Sequence, residues 1–311
     1  MLRVVFIHDG RANYPSIGAF RELWRARLAI EEMTLEAAGK ADLSDAICWY
    51  MMGFYPRKLP AALTVHDYKS LSLGRFSAFK DFLKFRFNAK PDLRILKQEI
   101  KATHSFRDDV PEVIQDIGVP DSILSYRQAV ASAAEYDFCY IGAISRERRI
   151  HLMIDSFLSR FAQSKTLLMM GEVEPIVRER YRANTNIIFT GRLTQPALFE
   201  NMNKCAAVAC YFPNHFPHIV QTPTKLLEAA AIGSRILANE QPMNRVKASE
   251  FGMQVRWGEA ADMFRDCPDQ LDWADNRQFD PAPMLTSVMS SRSGLTGYIE
   301  NVLATGALTS R

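Results

Sequence analysis

The sequence predicts an α/β protein of two domains, each organised around a parallel sheet. Strand-like apolar runs alternate with helical patterns in the first half of the chain, and the alternation starts again in the second half. A length of 311 residues suits two domains of ordinary size. Residues 125–135 are polar and rich in small side chains, which is typical of a linker. We therefore expect domains at 1–130 and 136–280, with a C-terminal helix and tail at 281–311.

The first half begins with a short apolar run that predicts a buried parallel strand. A loop that contains Gly18 follows it. Ligands of open α/β sheets bind at the carboxyl ends of the strands, so Asp9, His66 and Asp67 are candidate site residues. The patterns predict strands at 2–7, 46–52, 63–65 and 92–100, and helices at 19–38 and 106–117.

Residues 73–98 are both basic and aromatic, with seven Lys or Arg, two Asp and five Phe residues. A helix here would have an aromatic and a basic face, and such a helix can lie on an anionic bilayer or an acceptor lipid. Lys80, Lys84 and Arg86 are the candidate contacts. The alternative is a packed helix with Phe in the core and Lys in water. Nucleic acid is not expected as a partner, because no recognised binding motif accompanies the charge.

The second half repeats the strand and helix alternation, and several of its predicted strands end at glycine. Loops of such a sheet gather at the carboxyl ends of the strands and form the expected ligand site. The patterns predict strands at 138–141, 166–170, 187–190 and 206–211, and helices at 149–161, 173–181, 196–203 and 293–304.

The composition is that of a globular protein, with 48% hydrophobic and 23% charged residues and a net charge of +3. The five cysteines include no CxxC pair and no Cys/His cluster, so we expect buried thiols, no metal and no cofactor. No run approaches the roughly 18 apolar residues of a membrane span, and the apolar start is too short for a signal peptide. A cytoplasmic protein is expected, with at most peripheral contact to the inner face of the membrane.

Residues 221–238 carry the clearest chemical signal. Thr222 and Thr224 stand at the start of a predicted helix, where hydroxyl and backbone N–H groups can hold an anion. Gly233 ends the helix, because a left-handed C-cap is cheapest for glycine. Glu228 lies among Leu and Ala and is costly to bury without a polar partner. A ribose offers two hydroxyl donors to such a carboxylate and is a candidate for that partner.

The second half also resembles the donor-binding domain of glycosyltransferases that have two facing Rossmann-like domains, the GT-B fold, and family 4 in particular. The resemblance covers residues 137 to about 240 and rests on a series of motifs. Gly142, Glu147 and Arg148 match the first motif, and Gly191 ends a later strand as in the family. The motif sequences are YIGAISRERRIHLMIDSF, LLMMGE, NIIFTGRL and PTKLLEAAAIGSRILA.

The resemblance implies a retaining, metal-independent transfer of a sugar from a UDP- or GDP-sugar to a hydroxyl of a saccharide or lipid-linked acceptor. Bacterial surface polysaccharide or glycolipid assembly is the implied setting. Arg148 takes the place of the family's diphosphate-binding lysine, with Arg146 as a second cation, and Lys225 and Glu228 match the last motif. On the acceptor side, Gly18 and His66 are the matching residues, and Asp9 or Asp67 would be the base of an inverting reaction.

Two departures from the family pattern bear on sugar recognition. Ala143 replaces an arginine that contacts phosphate, and Val220 replaces the first of two glutamates, the one that contacts the transferred sugar. Asn214, His215 or His218 are the candidate substitutes. Two other functions remain open: a sugar-nucleotide epimerase of the same fold, and a non-catalytic nucleotide-sugar-binding or scaffold protein.

Overall fold

The computed structural model describes residues 3–10, 14–72, 74, 76–127 and 134–305, so much of the predicted linker and the end of the tail lie outside the described residues. The strands are β1 (Arg3–His8), β2 (Ala29–Thr34), β3 (Ala46–Tyr50), β4 (Leu63–Tyr68), β5 (Leu93–Leu96), β6 (Glu112–Ile114), β7 (Tyr136–Ile141), β8 (Leu167–Met170), β9 (Ile187–Gly191), β10 (Cys205–Cys210), β11 (Ile236–Asn239) and β12 (Arg256–Gly258). The α-helices are α1 (Pro15–Trp24), α2 (Leu35–Ala38), α3 (Ser77–Phe87), α4 (Gln98–Thr103), α5 (Ile150–Phe161), α6 (Pro175–Arg180), α7 (Gln195–Asn203), α8 (Thr224–Ile232), α9 (Pro242–Phe251), α10 (Thr286–Arg292) and α11 (Leu295–Thr305).

The chain divides into two compact units, one formed by Met1–Asp121 with Met284–Arg311 and the other by Ser122–Pro283. Each unit contains a six-stranded sheet whose described pairings are parallel. The first sheet has the order β2-β1-β3-β4-β5-β6, and the second has the order β12-β11-β10-β7-β8-β9. The second order is that of a doubly wound dinucleotide-binding sheet. In such a sheet the strand order runs outward in both directions from a switch point, which here lies between β7 and β10. The prediction of an α/β protein with two parallel sheets is confirmed.

The end of the chain returns to the first unit. Leu295 and Ile299 of α11 are buried in the same apolar cluster as Phe6 of β1 and Trp49 of β3. Burying apolar side chains such as these contributes on the order of 2 kcal/mol each. This packing fixes the C-terminal helices on the first sheet.

The single helix predicted at 19–38 is wrong, because the structure has α1, β2 and α2 in that region. Ala29–Thr34 pairs in parallel with the whole of β1, from Arg3 to His8. Its Glu and Met residues have good helix propensity, but pairing along the edge of the sheet overrides that weak local preference.

The helix predicted at 106–117 is also wrong, and β6 occupies Glu112–Ile114 there. Tertiary contacts hold this segment extended. The buried Arg94 guanidinium donates to both oxygens of Asp108, at 2.5 and 2.7 Å, and lies 3.7 Å from the centre of the Phe106 ring. The predicted strand at 92–100 is shorter than expected, because α4 begins at Gln98.

Candidate functional site

The second sheet reverses its strand order between β7 and β10, and ligands of doubly wound sheets bind at such a point, beyond the carboxyl ends of the strands. The loop after β7 carries residues 142–149, and the loop after β10 leads into α8. Most of the donor-site residues predicted from the sequence lie on these two loops or at the start of α8.

Three glycines end the neighbouring strands β7, β8 and β9 and bring their backbones into close contact. Gly142 has φ +148° and Gly171 has φ +152°, and a Cβ on Gly171 would lie 1.9 Å from the carbonyl oxygen of Gly142. The Gly171 N–H donates to the Gly191 carbonyl at 3.0 Å. These glycines give the end of the sheet a floor of backbone without side chains, which a phosphate group can approach closely.

The two arginines predicted to bind phosphate lie on the loop after β7 but have different surroundings. Arg148 is half-buried, and its backbone N–H donates to the Ser145 hydroxyl at 3.3 Å. Burial raises the pKa of the Tyr140 hydroxyl, and the charge of Arg148 opposes that rise. Arg146 is exposed and pairs with Glu174 at 3.2 Å. A half-buried guanidinium at the strand ends suits a diphosphate, whereas Arg146 is exposed and already paired, so Arg148 is the better placed of the two.

Glu147 on this loop meets two histidines of the loop after β10. Glu147 Oε1 lies 3.2 Å from His218 Nε2, and the Glu147 carbonyl oxygen lies 3.2 Å from His215 Nε2. The His218 side chain is fully buried, and burial lowers its pKa, with Arg148 acting in the same direction. Sequence reasoning named all three residues but not their contact, because Glu147 and His215 are 68 positions apart.

Buried amide side chains at the end of β11 and just after it hydrogen-bond to the backbone of the loop after β10. This network was not predicted from the sequence. Asn239 exchanges two hydrogen bonds of 2.8 Å with the backbone of Phe212, and Gln241 Nε2 donates to the His218 carbonyl at 2.9 Å. Asn244 bonds to both of these amide residues. The sequence signal that could have indicated this network is the presence of three amide side chains within six residues at the end of a predicted strand.

Helix α8 places a buried carboxylate against the end of β10. Glu228 is 2% exposed, and Lys225 Nζ donates to it at 2.6 Å. The Lys225 carbonyl accepts a weak bond from the thiol of Cys210, the last residue of β10. Thr222 is buried just before the helix and Thr224 is its first residue. Glu228 was expected to pair with the hydroxyls of a ribose, and the structure gives it a partner within the chain, Lys225. The helix ends at Gly233 in the predicted left-handed cap.

The three residues predicted to be catalytic belong to the first unit and have different surroundings. Asp9 is exposed directly after β1. Asp67 is buried within β4, 3.0 Å from Lys69 Nζ and 3.4 Å from the indole nitrogen of Trp49. His66 is only 3% exposed. The strand runs on to Tyr68, so His66 and Asp67 lie inside it and not beyond its end. Their catalytic roles stay a prediction.

His66 packs among the rings of Tyr50, Tyr55 and Tyr68. Burial, followed by the charges of Arg94 and Lys58, lowers its pKa to about 3. The unfolded chain takes up a proton near pH 6.5 and the folded chain does not, so protonation favours unfolding between these values. We expect the free energy of unfolding to fall by about 1 kcal/mol per pH unit below pH 6.5 because of this residue. Denaturant titrations of the wild type and His66→Asn from pH 7 to 5 measure the effect, and parallel pH profiles would contradict it.

Two acceptor-side predictions are wrong in placement. Gly18 lies within α1 and not in a loop, and Gly10, with φ +75°, is the glycine beside Asp9. Lys84 does not face outward from α3. Its side chain is 13% exposed, lies 3.9 Å from Asp81 and donates to the Ser72 hydroxyl at 2.7 Å, because Asp81 is buried and requires a partner. Lys80 and Arg86 are exposed as predicted.

Solved structures resemble the chain over nearly its whole length. AviGT4, a glycosyltransferase of avilamycin A biosynthesis, matches with TM-score 0.60 at 12% identity, covering 98% of this chain and 99% of its own. Sucrose-phosphate synthase from Thermosynechococcus elongatus matches with TM-score 0.65 at 11% identity, covering 98% and 100%. Anabaena HepE in complex with UDP and glucose matches with TM-score 0.59 at 13% identity, covering 98% and 100%.

The chain has the GT-B fold. The fold predicted from the motifs is therefore confirmed, with two Rossmann-like domains that each contain a six-stranded parallel sheet. No model of a known protein family matches the chain, and no curated protein matches it in sequence. A putative UDP-N-acetylglucosamine 2-epimerase from Listeria monocytogenes also resembles the chain, with TM-score 0.58 at 12% identity over 96% of this chain and 97% of its own. The fold alone does not separate transfer from epimerisation.

Proposed function

We propose that this GT-B protein is a glycosyltransferase that moves a sugar from a nucleotide diphosphate-sugar to a hydroxyl group of a saccharide or a lipid-linked acceptor. The observation that carries the proposal is the placement of Arg148 and Glu228 at the carboxyl edge of the second sheet, around its switch point. A half-buried cation suits a diphosphate, and a buried carboxylate suits the two hydroxyls of a ribose.

The chemistry of the second unit supports a division of roles. The backbone at Gly142, Gly171 and Gly191 admits phosphate oxygens, and Arg148 offsets their charge as the nucleoside diphosphate leaves. Thr222 and Thr224 add hydroxyl donors at the start of α8. In this proposal the nucleotide-sugar is the co-substrate, its base is uracil or guanine, and no metal ion acts at the diphosphate. The proposal follows the motif resemblance in assigning retention of configuration.

HepE, which shares the fold, was solved with UDP and glucose, and this supports a UDP-sugar as the first donor to test. The test is a panel of UDP- and GDP-sugars followed by thermal shift, because a ligand of the folded state raises the melting temperature. The donor that binds is then incubated with and without saccharide and lipid-linked acceptors. We expect transfer that requires an acceptor. A new epimer formed without any acceptor would replace the proposal with an epimerase, and binding without any turnover would replace it with a binding protein.

Helix α3 supports a membrane-facing role for the first unit. Phe76, Phe79, Phe82 and Phe87 are each between 52% and 62% exposed, and Lys80 and Arg86 are exposed among them. Exposed aromatic and basic side chains together suit an anionic lipid surface.

Another face of α3 is packed against the first unit. Phe85 contacts Tyr68 and His104, so the alternative of a packed helix applies to that face. No helix among the described residues has the length and apolar character to cross a bilayer. The proposed role is peripheral, at the inner face of the cytoplasmic membrane, in glycolipid or surface polysaccharide assembly in bacteria.

We expect the double substitution Phe79→Ser with Phe82→Ser to weaken binding to phosphatidylglycerol vesicles by at least about tenfold, since each ring loses apolar burial worth on the order of 1 kcal/mol. The double substitution Lys80→Glu with Arg86→Glu should also weaken vesicle binding, and the loss should be larger at low salt than at high salt. Vesicle sedimentation measures both. The control is Ile176→Ser, which changes a 54% exposed side chain of the other unit. Equal binding by the Phe variant and the control would contradict a membrane role for α3.

A further inference from the structure

The cluster of Glu147, His215 and His218 has the composition and spacing of a metal site. One ligand atom from each residue can be chosen so that all three lie within 4.8 Å of one another. Two of them, Glu147 Oε1 and His218 Nε2, are 3.2 Å apart. Ligand atoms at about 2.0–2.1 Å from a tetrahedral Zn²⁺ are separated by roughly 3.3 Å, so this pair already has the required spacing.

The other ring nitrogens indicate which atoms are available to a metal ion. His218 Nδ1 lies 3.0 Å from Gln221 Oε1, and His215 Nδ1 lies 3.1 Å from the Phe216 carbonyl oxygen. A histidine that binds a metal typically donates its second ring N–H to such an oxygen, which fixes the tautomer and the ring orientation. Both Nδ1 atoms meet this condition in the same cluster.

When the proton of each ring is on Nδ1, each Nε2 carries a lone pair that faces an oxygen atom of Glu147. The other tautomer of His218 donates its Nε2 proton to Glu147 Oε1, so a cation at this point replaces that proton and selects the Nδ1–H form. Both Nε2 atoms and the carboxylate then serve as ligands.

We propose that Glu147, His215 and His218 bind one Zn²⁺ ion. Two imidazole nitrogens and one carboxylate oxygen are a ligand set that zinc accepts, whereas Mg²⁺ and Ca²⁺ prefer oxygen ligands alone. Glu147 is exposed, so water reaches the fourth position. The ion joins the loop after β7 to the loop after β10, and these loops carry Arg148 and Thr222. This role is structural and does not depend on the proposed transfer reaction.

Metal binding is tested on the full chain, purified without a His tag, stripped with chelator and titrated with Co²⁺ as a spectroscopic substitute for Zn²⁺. We expect one equivalent of Co²⁺ to give the visible absorption of a tetrahedral site and Zn²⁺ to displace it. His218→Asn, His215→Asn and Glu147→Gln should each raise the Kd at least about tenfold. At the same concentration, Zn²⁺ should raise the Tm of the wild type more than that of the variants.

The matched control is His151→Asn, which changes a half-buried histidine of α5 outside the cluster and should bind Co²⁺ as the wild type does. Because Glu147 is exposed, Glu147→Gln tests the site even where replacement of the buried His218 unfolds the chain. A wild-type chain that gives no Co²⁺ spectrum, or a Glu147→Gln variant that binds Co²⁺ as tightly as the control, would overturn the proposal. No nucleotide is present in these titrations, so their outcome is separate from that of the donor panel.

Discussion

Glu228→Gln is expected to weaken binding of the donor nucleotide at least tenfold. The substitution keeps the size of the side chain and removes the charge, and a hydrogen bond to a charged group contributes about 1.5–3 kcal/mol. The buried position of Glu228 excludes competing water, so the loss should lie near the upper part of this range. Calorimetric titration with UDP and GDP measures the change.

The control for this experiment is Glu200→Gln, an exposed glutamate on α7 of the same unit, which should bind nucleotide as the wild type does. A second variant, Lys225→Gln, removes the partner that lies 2.6 Å from Glu228. If Glu228 serves only to pair with Lys225, both variants will lower the Tm by similar amounts and leave nucleotide affinity unchanged. That result would remove Glu228 from the donor site.

Gly171→Ala is expected to destabilise the fold by at least about 3 kcal/mol, because two costs add at this position. A new Cβ would lie 1.9 Å from the Gly142 carbonyl oxygen, so a backbone segment has to move. The φ angle of +152° is also unfavourable for any residue with a side chain. For units of this size the Tm should fall by roughly 6–12 °C.

Gly191→Ala has the cost of an unfavourable φ angle without the cost of a steric clash. Its φ is +75°, and nothing lies within 4 Å of the position of a new Cβ. It should lose only about 1 kcal/mol, the cost of a left-handed backbone. Calorimetric melting of the two variants beside the wild type gives the comparison. Equal Tm values for both alanine variants would contradict the close packing of the strand ends of β7 and β8.

Much of the second unit could be predicted from the sequence, because its signals are local. The apolar strand ending at Gly142, the strand ending at Gly191 and the helix that stops at Gly233 all depend on residues adjacent along the chain. The same logic failed at residues 19–38, where helix-favouring side chains form β2. The pairing of β2 with β1 joins segments separated by a helix, and local periodicity carries no information about such pairing.

The sequence by itself determined the alternation of strands and helices, the glycines at the strand ends and a lone carboxylate, Glu228, in an apolar helix. Only the tertiary structure decided the strand order, with its switch point between β7 and β10, and the contact between Glu147 and His218. It also turned Lys84 inward to the buried Asp81 and returned α11 to the first unit. The physical reason is that propensity and periodicity act over a few residues. The partner of a buried charge, by contrast, is set by packing between segments far apart in the chain.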